Sequence, residues 1–153
     1  MKKKITQKKK VARQTRSSRG AKVDLKKYFE AKLAAEIGPH GLKEWLDQSK
    51  QDIVVLDVRD KESYEEEHIP TAINIPFEEF EERWKELPKD KEVVSYCWSL
   101  TCFLAPKAAL FLAKKNLRVK ELVGGIGEWK NYKFPVQKKG ELAEVEVGSA
   151  GSS

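Results

Sequence analysis

Short apolar runs alternate with segments of helical spacing along most of this chain. The strand-like runs are rich in β-branched residues and bounded by charge, and residues 53–56 (Ile-Val-Val-Leu) are the clearest of them. Such a run is typical of a central parallel strand that is buried on both faces. The five predicted strands are residues 36–37, 53–56, 72–75, 93–96 and 119–123. Their alternation with helices predicts an α/β fold, a five-stranded and mostly parallel sheet with helices on both faces.

Apolar residues at three- and four-residue spacing predict the helices between these strands. The first is an amphipathic helix over residues 24–35, with Asp24 as a plausible N-cap. Further helices are predicted at residues 40–48, 61–67 and 77–87, after residue 102, and around Trp129. The helix after residue 102 is charged only along one lysine stripe, so we expect it to be heavily buried. Pro106 must lie in its first turn or kink it.

Charge divides the chain unevenly. Residues 1–22 hold ten Lys or Arg and no acid, so the net charge of +6 becomes −4 for the remainder. We expect this tail to be disordered. It is a solubilising extension, a transit-like segment, or an arm that contacts nucleic acid or an anionic membrane surface.

The chain contains neither a run long enough to cross a bilayer nor an apolar segment after its basic start. We therefore expect a cytoplasmic protein without a transmembrane segment. Two cysteines in such a protein favour reactive thiol chemistry over a disulfide framework. Dinucleotide, phosphate-loop and zinc motifs are absent from the sequence, so no cofactor and no metal are expected.

Cys97 lies where a predicted strand ends and a predicted helix begins, across a polar break at residues 97–101. Sites in open α/β sheets are built beyond the carboxyl ends of the strands. The free N–H groups at a helix start bind anions and lower the pKa of a nearby cysteine. We therefore expect Cys97 to be the nucleophile, with loop amides gathered around its sulfur.

Two ionisable residues, Asp57 and Arg59, follow the strand at residues 53–56 and point to the same edge of the sheet. An ion pair or helix cap that holds the turn is favoured for them over direct chemistry. His40 lies beside Pro39 and Gly41 at a helix start, where a capping or solvent role is favoured.

Four motifs follow one another at characteristic intervals, and together they resemble the single-domain rhodanese-like (sulfurtransferase) family. They are Leu56-Asp57-Val58-Arg59, the His68-to-Pro76 segment, Tyr96-Cys97 with its six-residue loop, and Gly124-Gly125-Ile126 with Trp129. The resemblance covers residues 36–136. It implies a rhodanese-like three-layer domain there, after a basic tail (1–22) and a helix (23–35) and before a flexible tail (137–153). Thr71 departs from the family, which usually has Gly at that position.

This resemblance implies that Cys97 takes a sulfane sulfur from a donor, becomes a persulfide, and passes the sulfur to a thiol or cyanide-like acceptor. The implied substrate-binding loop is Trp98, Ser99, Leu100, Thr101 and Cys102, and the implied supporting residues are Asp57, Arg59 and His68. Trp98 and Trp129 are candidates for an apolar rim, although core packing is favoured for Trp129. The alternative is a non-catalytic module that senses redox state or binds a partner through Cys97 and Cys102.

The main departure is Cys102, which occupies the place where the family commonly has Arg. An oxyanion donor such as thiosulfate loses its charge-assisted partner, so we expect weak thiosulfate activity. Polysulfide, glutathione persulfide or a protein persulfide fits the uncharged loop better. Cys102 is a packed small residue, a resolving thiol or a redox switch. Phe103 lies where a related phosphatase loop needs Arg, which disfavours phosphatase chemistry.

Overall fold

The computed structural model describes residues 22–141, and the tail prediction for residues 1–21 and the end of the predicted C-terminal tail lie outside this part of the chain. The helices are α1 (Leu25–Ala35), α2 (Pro39–Asp47), α3 (Lys61–Glu66), α4 (Phe80–Arg83), α5 (Leu104–Lys114) and α6 (Gly125–Asn131), and single 3-10 turns at Phe77–Glu79 and Trp84–Glu86 flank α4. The strands are β1 (Glu36–Ile37), β2 (Ile53–Asp57), β3 (Ile73–Asn74), β4 (Glu92–Tyr96) and β5 (Val119–Leu122).

The five strands form one sheet in the order β1-β5-β4-β2-β3, and neighbouring strands run parallel. Strands β2 and β4 pair over five positions, from Ile53 opposite Glu92 to Asp57 opposite Tyr96. Because parallel strands end at the same edge, this register places Asp57 beside the residue that precedes Cys97. The predicted sheet is confirmed, and its central strands converge on the predicted site.

Successive side chains of the central strands enter two separate cores, one on each face of the sheet. Val94 and Tyr96 pack with Leu42 and Trp129 of the helices on one face. On the other face, the core is formed by side chains around α4 and α5 with strand residues; it contains Leu56, Phe80, Val93, Cys97, Ala105, Ala108 and Leu112. The fold is therefore a three-layer α/β arrangement, with Cys97 at the edge of the second core.

Helix α1 has the predicted N-cap but not the burial that its amphipathic pattern suggests. The Asp24 side chain accepts a hydrogen bond from the Lys27 amide at 3.2 Å. No residue of α1 is buried, and its apolar side chains, such as Leu33 with 77 % exposure, face solvent in the described chain. The spacing of apolar residues identifies a helix face, but it does not supply a surface for that face to contact.

The expectation that α5 is heavily buried is wrong. Only one side of the helix packs on the sheet, through Ala105, Ala108 and Leu112. Leu110 on the opposite side is 58 % exposed. Pro106 lies in the first turn of α5, where its missing N–H breaks no helical hydrogen bond.

Backbone contacts continue past residue 136, where the predicted domain ends. The backbone of Gln137 exchanges two 2.8 Å hydrogen bonds with that of His68, and the Lys139 amide donates to the carbonyl oxygen of Glu65. These contacts extend the ordered unit past residue 136. None of the helices within residues 22–141 has the length and apolar character needed to span a bilayer.

Candidate active site

Cys97 follows the last residue of β4, and residues 98–103 lead from it to the start of α5. Its residue exposure is only 2 %, although the loop side chains that follow it are exposed. The sequence therefore places the thiol correctly, between the carboxyl end of a central strand and a helix N-terminus. The thiol is more enclosed than a freely accessible nucleophile.

Backbone hydrogen bonds from the glycine-rich segment that begins α6 hold the start of the loop in place. Amides of Ile126 and Gly127 donate hydrogen bonds to the carbonyl oxygens of Cys97 and Trp98, at 3.0 and 2.9 Å. A Cβ atom on Gly125, whose φ is +58°, would overlap the Cys97 carbonyl group, and one on Gly127 would lie 2.9 Å from the Trp98 oxygen. Side chains are therefore excluded at both glycines because the backbone of the loop passes directly against them.

The prediction of a lowered pKa for Cys97 is wrong in this structure. Burial raises the pKa of the Cys97 thiol to about 12, and a hydrogen bond with the Cys102 side chain acts in the same direction. The amides of Ala105 and Trp98 interact with the sulfur and oppose the rise. The Cys97 thiol also donates a 3.3 Å hydrogen bond to the Cys102 carbonyl oxygen, which stabilises the protonated form.

The pKa of the Cys102 thiol is shifted in the opposite direction to that of Cys97. Burial raises the pKa of its thiol, but hydrogen bonds from the Cys97 thiol and from the amides of Trp98 and Leu104 outweigh burial, so the pKa is lowered. Cys102 is also more exposed than Cys97. The two thiols therefore differ, because the pKa is raised at Cys97 and lowered at Cys102.

The predicted ring of loop amides around Cys97 is only partly present. Of the amides of residues 98–102, that of Trp98 interacts with the Cys97 sulfur, and the second amide comes from Ala105 in α5. The Cys102 amide instead donates to the Ser99 carbonyl oxygen at 3.1 Å and closes a turn. The Ser99 and Thr101 hydroxyls share a 3.2 Å hydrogen bond at the exposed tip of this loop.

Apolar side chains form the outer rim of the loop. Trp98, Leu100 and Phe103 have exposures of 46 %, 70 % and 68 %. Residues 98–103 contain no cationic side chain. The loop itself is thus uncharged, and it presents no guanidinium of its own to an oxyanion.

The expected Asp57–Arg59 ion pair is present and completely buried. The Arg59 guanidinium donates to both carboxylate oxygens of Asp57, at 2.7 to 3.1 Å, and to the Glu67 carbonyl oxygen at 2.6 Å. Burial lowers the pKa of Arg59, but its hydrogen bonds and charge interaction with Asp57 outweigh burial and raise it. The guanidinium therefore stays charged, and the pair braces the turn after β2.

Two aromatic residues, Tyr96 and Trp98, connect the Asp57–Arg59 ion pair to the loop. The hydroxyl of Tyr96 donates to Asp57 Oδ2 at 2.6 Å and accepts the Ile69 amide at 3.1 Å. The guanidinium carbon of Arg59 lies 4.6 Å from the centroid of the Trp98 ring. The residues on either side of Cys97 are therefore both held by the buried ion pair.

The side chains of His68 and Trp129 pack against their neighbours and each makes a hydrogen bond to a backbone carbonyl oxygen. The Nδ1 of His68 lies 2.7 Å from the Tyr64 carbonyl oxygen, and the two rings stack at 4.0 Å. Trp129 is fully buried and donates from Nε1 to the Pro135 carbonyl oxygen at 2.8 Å. Core packing of Trp129 is confirmed, so Trp98 is the one of the two candidates that lies on the rim.

The rhodanese-like domain family matches residues 39–132, which are more than half of the chain and include the whole thiol loop. The chain belongs to this family. The resemblance drawn from the four motifs is thereby confirmed, and residues 39–132 form a rhodanese-like domain.

Two curated relatives illustrate the range of proteins that contain this domain. A thiosulfate sulfurtransferase, GlpE of Coxiella burnetii, is 36 % identical over 90 residues, which are 58 % of this chain and 82 % of the relative. The HTH-type transcriptional regulator Rv0324 of Mycobacterium tuberculosis is 38 % identical over 87 residues, 57 % of this chain. The match spans only 38 % of that regulator's length.

A similar arrangement occurs in a solved structure. The crystal structure of the BH2092 protein from Bacillus halodurans is 39 % identical and has a TM-score of 0.70. The superposition covers 74 % of this chain and 84 % of that one. The fold of this chain is thus also found in a solved structure.

Sequence reasoning missed three residues that shape the site of this rhodanese-like domain. They are Tyr96, Gly127 and Asn74, whose side-chain amide donates to the carbonyl oxygens of Asp57 and Arg59 at 3.0 and 2.9 Å. A polar Asn at the end of an otherwise apolar strand was a usable signal for the last of these. The roles of Tyr96 and Gly127 depend on strand register and backbone contact, which the sequence pattern alone does not contain.

Proposed function

We propose that this rhodanese-like domain is a sulfurtransferase that carries a sulfane sulfur as a persulfide on Cys97. The observation that carries the proposal is the position of the Cys97 sulfur, at the mouth of α5 and against the amides of Trp98 and Ala105. A persulfide anion formed there is stabilised by the same amides and by the positive end of the helix. The named sulfurtransferase relative supports the same reaction class.

The thiol pair supplies the proton step. Cys97 must lose its proton before it attacks, and the neighbouring Cys102 thiolate takes that proton in a step that the raised pKa of Cys97 and the lowered pKa of Cys102 make unfavourable. Cys97 then attacks the sulfane sulfur of the donor. The sulfur–sulfur bond of the donor breaks, its leaving group departs with the electron pair, and Cys97 becomes the persulfide. An acceptor thiolate or cyanide next attacks the outer sulfur and restores the Cys97 thiolate.

The uncharged rim favours a sulfur donor other than thiosulfate. Thiosulfate carries two negative charges, and the loop offers it no guanidinium. A charge-assisted hydrogen bond contributes roughly 1.5–3 kcal/mol, so its absence slows thiosulfate turnover by about one to two decades. The exposed apolar side chains of Trp98, Leu100 and Phe103 suit a polysulfide, a low-molecular-weight persulfide or the persulfide of a protein partner.

The decisive experiment measures persulfide formation and transfer in the full chain. Inorganic polysulfide is added to the reduced protein, and intact mass is read at early times after quenching. We expect a gain of about 32 Da that peptide mapping places on Cys97. Transfer rates to cyanide are then compared for thiosulfate, polysulfide and glutathione persulfide, with thiosulfate the slowest. If neither the wild type nor Cys102→Ser acquires sulfur, the proposal is rejected.

A second function, redox sensing without sulfur transfer, is favoured by the contact between the two thiols. Both cysteines are free in this structure, and Cys97 is hydrogen-bonded to Cys102. A transcriptional regulator among the relatives contains the same domain. This function predicts reversible loss of about 2 Da on mild oxidation, together with no sulfur transfer to cyanide or dithiothreitol. Sulfur transfer in the preceding experiment would rule it out as the sole function.

A further inference from the structure

Two thiols face each other across the ends of one short loop, and the single persulfide step described above uses the second only as a proton acceptor. The Cys97 Sγ donates a 3.3 Å hydrogen bond to the Cys102 carbonyl oxygen, and the Cys102 side chain is near enough to raise the pKa of the Cys97 thiol. Backbone bonds hold both ends of the loop: the Cys97 carbonyl oxygen accepts the Ile126 amide, and the Cys102 amide closes a turn onto Ser99. The loop therefore holds Cys102 beside the Cys97 sulfur.

We infer that Cys102 is a resolving thiol, which attacks the Cys97 persulfide, releases hydrosulfide and leaves a Cys97–Cys102 disulfide. This inference rests on the proposed persulfide function. It makes the protein a sulfide-releasing enzyme as well as a sulfur carrier, and it assigns a chemical role to the residue that replaces the loop arginine.

Geometry decides which sulfur each nucleophile reaches. The inner sulfur of the persulfide is Cys97 Sγ itself, which is buried and already in contact with Cys102. The outer sulfur extends away from Sγ, where an external acceptor can meet it. Attack of Cys102 at the inner sulfur expels the outer one, whereas attack of an acceptor at the outer sulfur removes it. Thiol–disulfide exchange depends on the sulfur that is attacked in the same way.

The step balances without a further reactant. The Cys102 thiol, protonated in the loading step, gives its proton to the outer persulfide sulfur. The Cys102 sulfur then bonds to Cys97 Sγ, the bond between the two persulfide sulfurs breaks, and its electron pair leaves on hydrosulfide. The two cysteine sulfurs lose two electrons and the sulfane sulfur gains them. An external thiol or dithiol reductant then reduces the disulfide and resets the enzyme.

The exposures of the two residues support this order of events. Cys102 is partly exposed and Cys97 is buried, so an external reductant reaches the disulfide first at Cys102. That attack returns Cys97 as the free thiolate, ready for another donor. A cysteine that served only to pack the start of α5 would leave the persulfide unaffected.

The test is a single-turnover experiment on the full chain with inorganic polysulfide as the probe. Reduced protein is pulsed with polysulfide and freed of it by rapid gel filtration, without any thiol. Intact mass and released sulfide are then followed with time, and an early sample is quenched by alkylation. The variants are Cys102→Ser and Cys97→Ser. Ala113→Ser, on the exposed side of α5, is the control for introducing a serine into that helix.

We expect the wild type and Ala113→Ser to lose about 34 Da from the loaded form and to release one sulfide per chain. Cys102→Ser, loaded to completion, keeps the added sulfur, and Cys97→Ser, which has no second thiol, forms no disulfide and releases no sulfide. If the wild type keeps its added sulfur as long as Cys102→Ser does, the resolving role is overturned and the persulfide function stands. If no variant loads, the proposed function fails and this inference fails with it.

Discussion

The guanidinium of Arg59 lies under the ring of Trp98, 4.6 Å from its centroid, while its nitrogens bind the buried carboxylate of Asp57. One guanidinium nitrogen, Nη1, is buried and has no hydrogen-bond partner in the described chain. The ring therefore covers a cation that is otherwise incompletely satisfied. This contact links the turn after β2 to the residue that follows Cys97.

Replacing Arg59 should destabilise the fold and loosen the loop. In Arg59→Met the Asp57 carboxylate stays buried without its cation, which costs about 3–5 kcal/mol of unfolding free energy. Urea unfolding measures that loss, and the rate of sulfur loading on Cys97 measures the effect on the loop. Arg83→Met is the matched control, because Arg83 pairs with Glu79 and Glu86 at the surface. It should cost at most about 1 kcal/mol, and an equal loss in both variants would contradict the bracing role of Arg59.

The hydroxyl of Tyr96 joins the same network from β4. Tyr96→Phe leaves the Ile69 amide without its acceptor and removes one donor from Asp57, so we expect a loss of about 1–3 kcal/mol. Burial raises the pKa of Tyr96 well above its usual range, so the hydroxyl remains a donor even at alkaline pH. Tyr132→Phe serves as the control, since Tyr132 is 46 % exposed. Matching stabilities by urea unfolding would show that the Tyr96 hydroxyl contributes nothing.

The sheet and the place of Cys97 were predictable because both depend on local sequence. The β-branched run at 53–56 can be buried on two faces only in a central strand, and the polar break after Tyr96 marks the end of its neighbour. The Asp57–Arg59 pair followed from two opposite charges at a strand end. These features require no knowledge of distant residues.

The features that the sequence did not predict depend on which distant groups the fold places against a residue. The apolar spacing of α1 identifies a face without indicating that nothing in the described chain covers it. The pKa of Cys97 depends on whether amides or a carbonyl oxygen point at the sulfur, and both arrangements are compatible with one loop sequence. Gly127 shows the same limit, because only the folded chain brings it against Trp98.

A side chain at Gly125 should displace the active-site loop. The residue has a φ of +58° and faces the Cys97 carbonyl group, so Gly125→Ala combines backbone strain with an overlap against the main chain. We expect a loss of more than about 1 kcal/mol and a clear slowing of sulfur loading on Cys97. Gly38→Ala, where a Cβ has open space and φ is −83°, should leave loading unchanged. Normal loading in Gly125→Ala would mean that the glycine contact does not position the thiol.

The two thiols should differ in their reactivity toward an alkylating agent as the pH is varied. Burial raises the pKa of Cys97 to about 12, whereas hydrogen bonds lower that of Cys102 despite burial. Iodoacetamide should therefore modify Cys102 first at neutral pH. The initial rate at Cys97 should rise about tenfold per pH unit through at least pH 10, because its thiolate fraction is still small there. Peptide mapping by mass spectrometry separates the two sites.

The same shifts set the direction in which stability changes with pH. The neutral Cys97 thiol is favoured in the folded state, so its contribution is complete below the unfolded pKa of about 8.5 and is lost as the pH rises toward about 12. The contribution of Cys102 has the opposite sign and is lost as the pH falls through its lowered pKa. In the alkylation experiment, both cysteines of urea-unfolded protein should react with iodoacetamide at similar rates. If Cys97 of the native protein is alkylated first at neutral pH, the contact with the Cys102 carbonyl oxygen does not hold the proton of Cys97.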